Sequence, residues 1–354
     1  MTMLARLLPI LALTVATGAA RTTDAHAQTP CGGPHRQFDF WLGDWNVRNH
    51  NLLPNRTPQN FDGSATDRVY AVVDGCAVVE NWQGEAFGRF IRGFSVRAYD
   101  PAAHTWTVAL LWPMQGSLRW GEFHGGFSAG RGDFLSRRVN VNGDTTIVRL
   151  SFLNIGTDSL QWQNGTSTDG GRTWTSSWRM DFHKRDPVRD GPLFNGPTRD
   201  TARCPEPENR RFDFLLGDWE GDAQSGPHRQ SEPGIAYVQV IPILGGCASM
   251  DVVRIHDGFG DEKLFRVRAY EPDRGRWVVY RIDGYRRVLV RMESQPDDPW
   301  TFRGRLASGD SVVLLRTEWE PLPDGGARWM DGESTDGGKH YTLVRAVTLR
   351  TRRP

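Results

Sequence analysis

The chain repeats itself once, and a duplicated chain folds as two copies of one unit, each closing its own core. Phe38-Asp39-Phe40-Trp41-Leu42-Gly43-Asp44-Trp45 returns as Phe212-Asp213-Phe214-Leu215-Leu216-Gly217-Asp218-Trp219, and Gly75-Cys76-Ala77 returns as Gly246-Cys247-Ala248. Val96-Arg97-Ala98-Tyr99-Asp100-Pro101 returns as Val267-Arg268-Ala269-Tyr270-Glu271-Pro272, and Ser167-Thr168-Asp169-Gly170-Gly171 as Ser334-Thr335-Asp336-Gly337-Gly338. The offsets are 174, 171, 171 and 167, so the order is kept with only short insertions and deletions. Residues 186–203 hold Pro187, Pro192 and Pro197 with few aromatics, which predicts a linker between units at 28–185 and 204–354.

Each unit reads as β throughout. Arg89–Tyr99, Thr105–Trp112, Thr145–Phe152 and Trp174–Phe182 are alternating or continuous runs of β-branched and aromatic residues. Asn142-Gly143-Asp144, Asn164-Gly165 and Asp169-Gly170-Gly171 supply turns between strands, and no long helical period is present after residue 27. About ten short strands per unit fit a closed antiparallel barrel better than a seven-stranded sandwich, and closure removes exposed edges. The predicted fold class is therefore all-β, two tandem barrels.

The first residues predict export. One positive charge in Met1–Arg6, the apolar run Leu7–Ala20 and the small-x-small site Ala25-His26-Ala27 form a signal peptide over residues 1–27. Fourteen apolar residues are too few to span a bilayer, and no later run is longer, so no membrane insertion is expected once the signal is removed. A periplasmic or secreted protein follows. In that oxidising compartment the four cysteines pair within units as Cys31–Cys76 and Cys204–Cys247, at intervals of 45 and 43 residues. No two cysteines are close enough for a CxxC centre or a cysteine zinc site. Without residues 1–27 the acidic and basic side chains balance, which argues against a nucleic-acid or anionic-membrane partner, since both need a positive field.

Gly43-Asp44-Trp45 and Gly217-Asp218-Trp219 place a G-x-W motif at the start of the first strand of each copy. Here the sequence resembles the calycin group, the lipocalin-like and nitrobindin-like barrels. The resemblance implies that Trp45 and Trp219 are structural, plugging one barrel end and stacking on a late-strand cation. Arg179 or Arg185, and Arg345 or Arg350, are the candidates for that cation. More closely, each half resembles a family of uncharacterised bacterial secreted proteins with the pattern FDFW-x-G-x-W, then G-C, then S-x-D-G-G-x-x-W. That family implies a fold and no agreed activity. Nitrobindin-like barrels hold haem through one late-strand histidine, and His183 is the one such residue in the first copy. Its counterpart region has none, so His183 reads as a solvated strand end and no cofactor is expected.

Three further motifs read as turns. Ser167–Trp174 resembles the Asp box of propellers, in which Asp169 (Asp336 in the second copy) caps a tight turn; two boxes are too few for a propeller. Gly126-Phe127-Ser128-Ala129-Gly130 matches the nucleophile elbow, but strand-like sequence follows where a helix is required, and the second copy lacks the motif. Arg131-Gly132-Asp133 is a lone tripeptide without weight. No histidine pair has metal-ligand spacing, so no metal is expected.

The duplication keeps Glu80 as Asp251, Glu122 as Glu293 and Arg97 as Arg268, each at an offset of 171. Period-2 geometry puts Val78, Glu80 and Trp82 on one strand face. Nine tryptophans fall in the first copy and five in the second, where Val253, Asp283 and Arg291 replace Trp82, Trp112 and Trp120. The first barrel is thus the candidate for a small, partly apolar ligand, lined by Trp82, Trp106, Trp112 and Trp120 with Glu80 and Arg97 orienting a polar group. Two alternatives stand beside it. One is an enzyme of isomerase, cyclase or hydrolase type using Glu80 or Glu122 as a buried general acid or base. The other is an interaction module whose barrels are filled, with Glu80–Arg97 only fixing strand register.

Overall fold

The computed structural model describes residues 31–52, 62–114, 117–190, 207–226, 233–258, 260–308 and 311–351. The expected signal peptide lies outside these residues, as do Cys204 and most of the expected linker. The chain forms two closed antiparallel barrels of ten strands each. In the first, β1 (Gly43–Asn51) pairs with both β2 (Gly63–Val72) and β10 (Trp178–Lys184), closing the ring. Between them run β3 (Ala77–Ala86), β4 (Arg89–Asp100), β5 (Thr105–Met114), β6 (Ser117–Ser128), β7 (Arg131–Val139), β8 (Thr145–Leu153) and β9 (Ser159–Ser167), each beside its chain neighbours.

The second barrel repeats this order from β11 (Gly217–Ser225) and β12 (Pro233–Ile243) through β13 (Ala248–Asp257), β14 (Gly260–Glu271) and β15 (Arg276–Asp283). It continues with β16 (Val290–Gln295), β17 (Asp298–Ser308), β18 (Ser311–Pro321) and β19 (Ala327–Ser334), and β20 (Thr342–Thr351) pairs back onto β11. The four-residue helix α1 (Pro187–Asp190) follows the first ring.

Local chemistry explains the turns. Ala129 (φ 50°) and Gly130 (φ 74°) form a two-residue hairpin with both residues left-handed, the twist that antiparallel strands favour. The G-x-S-x-G sequence is therefore the β6–β7 hairpin, with no helix behind it. In the Asp box, Asp169 Oδ1 accepts the backbone N–H groups of Arg172 and Thr173, each at 3.0 Å, and Asp336 does the same for Lys339 and His340. Hydroxyl bonds, from Thr173 to Asp169 and from Ser334 to Asp336, lead these backbone bonds in holding both carboxyls well below the usual carboxylate range. They also delay the last strand: β10 begins at Trp178, not at Trp174, whose ring covers the turn beneath the Arg149 guanidinium at 4.0 Å.

A 3-10 turn (Asp39–Trp41) enters each barrel end as a plug, with Asp213–Leu215 its counterpart. Trp45 Nε1 donates to the Trp41 carbonyl at 2.7 Å, and Trp219 Nε1 to the Leu215 carbonyl at 2.6 Å. Gly43 and Gly217 both have φ 119°, which only glycine adopts freely, so the motif fixes the turn as well as the tryptophan. The cation over Trp45 is Lys184, 4.4 Å from the ring, instead of Arg179 or Arg185; Lys184 also donates to the Leu42 carbonyl. Arg345 turns into the second barrel onto Glu262 at 2.5 Å, and Arg350 lies in an outer groove.

Cys31–Cys76 form a disulfide that ties the segment before the plug to the start of β3. Cys247 is also disulfide-bonded.

The outer faces of β3–β6 and β13–β15 pack together in one apolar cluster containing Val79, Phe94, Val96, Leu111 and Trp120 with Met250, Phe265, Val267, Tyr280 and Ile282. Val79 and Met250, Phe94 and Phe265, and Val96 and Val267 are duplicates at an offset of 171, so the two copies meet through the same face, as a two-fold dimer would. The Trp120 and Tyr280 rings meet at 4.6 Å, tilted by 52°, and the Trp120 backbone N–H donates to Glu271 at 2.9 Å.

Candidate functional site

Inside the first barrel the side chains alternate inward as the pairing dictates. Glu80 lies opposite Ser95, Asp67 opposite Trp82, and Phe152 opposite Trp162. They surround a cavity of about 40 Å³, roughly the room of three waters. Trp82, Trp112, Trp162 and Trp178 line it toward the end away from the plug, while Trp41, Phe134 and Phe152 close it on the plug side. Trp178 holds the cluster together, with ring centroids 5.8 Å from Trp82, 5.1 Å from Trp112 and 5.1 Å from Trp162. Its Nε1 donates to Asn49 at 3.1 Å.

Polar groups form one wall. Arg97 Nη2 donates to Glu80 Oε2 at 2.9 Å and also to Ser95, whose hydroxyl in turn donates to Glu80. The Arg97 guanidinium sits 4.2 Å from the Trp41 ring and 4.8 Å from Phe38, so cation–π contact replaces part of its lost hydration. Burial pulls its pKa down, and the Glu80 charge opposes that shift. Asp67, diagonal to Glu80 on the neighbouring strand, is fully buried, and no side-chain donor bonds its carboxyl oxygens. Desolvation, then the Glu80 charge, push its pKa well above the ordinary aspartate value, which favours the neutral acid. Trp82 Nε1 is buried at the cavity without a partner.

Four of the sequence-predicted residues meet here: Glu80, Trp82, Arg97 and Trp112. Trp106 is buried deeper, edge-on to Phe38 at 4.7 Å, with Nε1 donating to Gln37 at 2.8 Å; it supports the plug and does not line the cavity. Trp120 and Glu122 are corrections. Trp120 pairs with Leu111, an outward position, and so falls in the contact between barrels. Glu122 pairs with outward Ala109; its Oε2 accepts from Tyr280 at 2.7 Å and its Oε1 contacts His124 at 3.0 Å. The His124 bond leads in drawing its pKa down, so Glu122 is an ionised interface group and not a raised-pKa acid. His183 is exposed on the outer face of β10, between inward Phe182 and Lys184.

The residues that sequence reasoning missed are Asp67, Ser95, Trp162 and Trp178. Asp67 was legible in the alternation Ala65, Asp67, Val69 of β2, a segment not read as a strand.

The second barrel carries different chemistry at the same places. Arg266 stands for Ser95, Arg281 for Leu110, Asp283 for Trp112 and Arg345 for Trp178. Asp251 forms an ion pair with Arg266, Nε at 3.1 Å, and accepts a hydrogen bond from Arg268, and Arg281 donates to Asp331 at 2.9 Å.

No protein-family model matches the sequence, and no curated protein matches it. Among solved structures, a protein of unknown function from the DUF3598 family of Nostoc punctiforme is 11% identical, with 91% of this chain and 100% of that one covered, at a TM-score of 0.26. A protein provisionally named AttH from Nitrosomonas europaea is 9% identical, with 92% and 98% covered, at a TM-score of 0.13. Likenesses at these scores carry no argument.

Proposed function

We propose that this is an exported binding protein whose first barrel takes a small, partly apolar molecule. The observation that carries the reading is the cavity itself, four tryptophans on one side and the Glu80–Ser95–Arg97 wall on the other. Apolar walls with a few convergent polar groups are the ordinary composition of ligand sites. A volume near 40 Å³ limits the unaltered slot to a very small ligand or to the head of a larger one. The lipocalin-like affiliation belongs to the same reading and is supported by the G-x-W plug in each ring. Export is supported by the leader-like residues 1–27 and by the disulfide chemistry of Cys31–Cys76. Among the described residues no helix is long and apolar enough to cross a membrane.

Native mass spectrometry on protein purified from an oxidising compartment tests the reading, repeated after denaturation. A bound mass lost on denaturation and absent from the Trp112→Ala variant is the expected result; identical bare masses for both proteins, with no ligand in the denatured extract, oppose it.

A second reading is acid–base catalysis, favoured by one observation: two carboxyls, Asp67 and Glu80, are buried diagonally across β2 and β3 in the same barrel, and burial raises the pKa of Asp67. Glu80→Gln separates the two, since it abolishes turnover in an enzyme and only changes affinity in a binder.

A further inference from the structure

We infer that the first-barrel cavity takes a small planar organic cation of the guanidinium or amidinium class. This narrows the binding reading above and rests on it. The second barrel shows what occupies the space that is hollow in the first. Glu80 opposite Ser95 has the same register as Asp251 opposite Arg266, and Phe152 opposite Trp162 the same as Trp319 opposite Trp329. In the second barrel the Arg266 guanidinium lies 4.8 Å from the Trp319 ring and 4.4 Å from Trp329, with Nε 3.1 Å from Asp251. In the first barrel the equivalent carboxylate and rings, Glu80, Phe152 and Trp162, all line the cavity, while the short Ser95 leaves the cation's place unfilled. The site retains the acid and the aromatic faces of a guanidinium site without its guanidinium.

Charge points the same way. Facing the interior of the second barrel, Asp251, Glu262, Asp283 and Asp331 are matched by Arg266, Arg268, Arg281 and Arg345, while buried Glu271 faces the first barrel at Trp120. Around the first cavity two acids, Asp67 and Glu80, meet one base, Arg97, and the position of Asp67 is Val238 in the second copy. Burial beside Glu80 pushes Asp67 toward its neutral form, and a bound monocation would balance its ionised form instead. The volume, near three waters, suits a small flat ion.

Titration calorimetry on the full chain with methylguanidinium, its neutral isostere N-methylurea, and acetate tests the inference. Methylguanidinium is expected to bind at least about tenfold more tightly than N-methylurea, and Glu80→Gln to remove about tenfold of that affinity. Ser95→Arg, which tethers a guanidinium as the second barrel does, is expected to abolish binding in a protein that still melts cooperatively. Acetate tests the opposite demand, made by the unbonded Trp82 Nε1 and Arg97 Nη1. Binding of acetate or N-methylurea as tight as that of the cation overturns the cation assignment and leaves first-barrel binding standing. Binding of none of the three overturns it too, and if the purified protein also carries no mass the binding reading falls with it.

Discussion

At the scale of single residues, the interior of the first barrel is set by a few side chains that contradict their surroundings. Asp67 is the clearest. A carboxyl whose native pKa is raised binds its proton to higher pH than the same group in the unfolded chain, which lets go near 3.9. From that pH upward the native state therefore holds more protons than the unfolded one, and stability falls as pH rises until the native pKa is passed. Asp67→Asn has no proton to lose. Urea unfolding at pH 5 and pH 8 should show the variant gaining on the parent at the higher pH; a difference independent of pH would mean Asp67 is not held protonated. Gly93 makes a second test. A methyl there would stand 2.4 Å from Trp112 Cζ3, and the indole has open space on its other side. Gly93→Ala should push Trp112 into the slot, abolishing ligand binding at a stability cost of about 1 kcal/mol. Unchanged affinity in a titration would show that Trp112 does not bound the site.

At the scale of strands and turns, what could be read from the sequence divides along a physical line. Period-2 patterning sorts β3 into two faces, so Val78, Glu80 and Trp82 were legible as neighbours on one face, which the structure turns inward. The same rule did not reach Trp120, because strand parity says which residues share a face and only the ring's closure says which face is inside. Trp120 looks like Trp112 in sequence, yet their parity is opposite, and the second barrel covers the outward face. The start of β10 was misplaced for another reason: Trp174 has the character of a strand residue but belongs to the Asp-box turn. That turn depends on one carboxylate, and Asp169→Ala should remove it. Hydrogen exchange should then accelerate at the Arg172 and Thr173 amides and stay unchanged at Lys339 and His340 in the second copy. Equal protection in parent and variant would assign the turn to its glycines alone.

At the scale of the molecule, duplication has divided labour between copies without altering the frame. Both rings keep ten strands, the plug and the shared face, while one interior is aromatic and hollow and the other threads buried ion pairs through its apolar core. A buried network adds little net stability but is costly to break by halves. The rings are joined by the apolar cluster around Trp120 and Tyr280, with Arg119–Asp273 and Lys263–Asp74 at its rim. Exposed rim pairs contribute roughly 0–1 kcal/mol each, so the aromatic contact carries the coupling. Trp120→Ala should cost about 3–5 kcal/mol and loosen the two rings from each other. Calorimetry should show a merged parent transition resolving into two. Cys31→Ser with Cys76→Ser, which frees a crosslink worth roughly 4 kcal/mol on the chain-entropy model, should then move only the transition of the first ring. If both transitions move together in the triple variant, the rings are coupled through more than this face, and the second barrel would act on the cavity through the rest of the shared cluster.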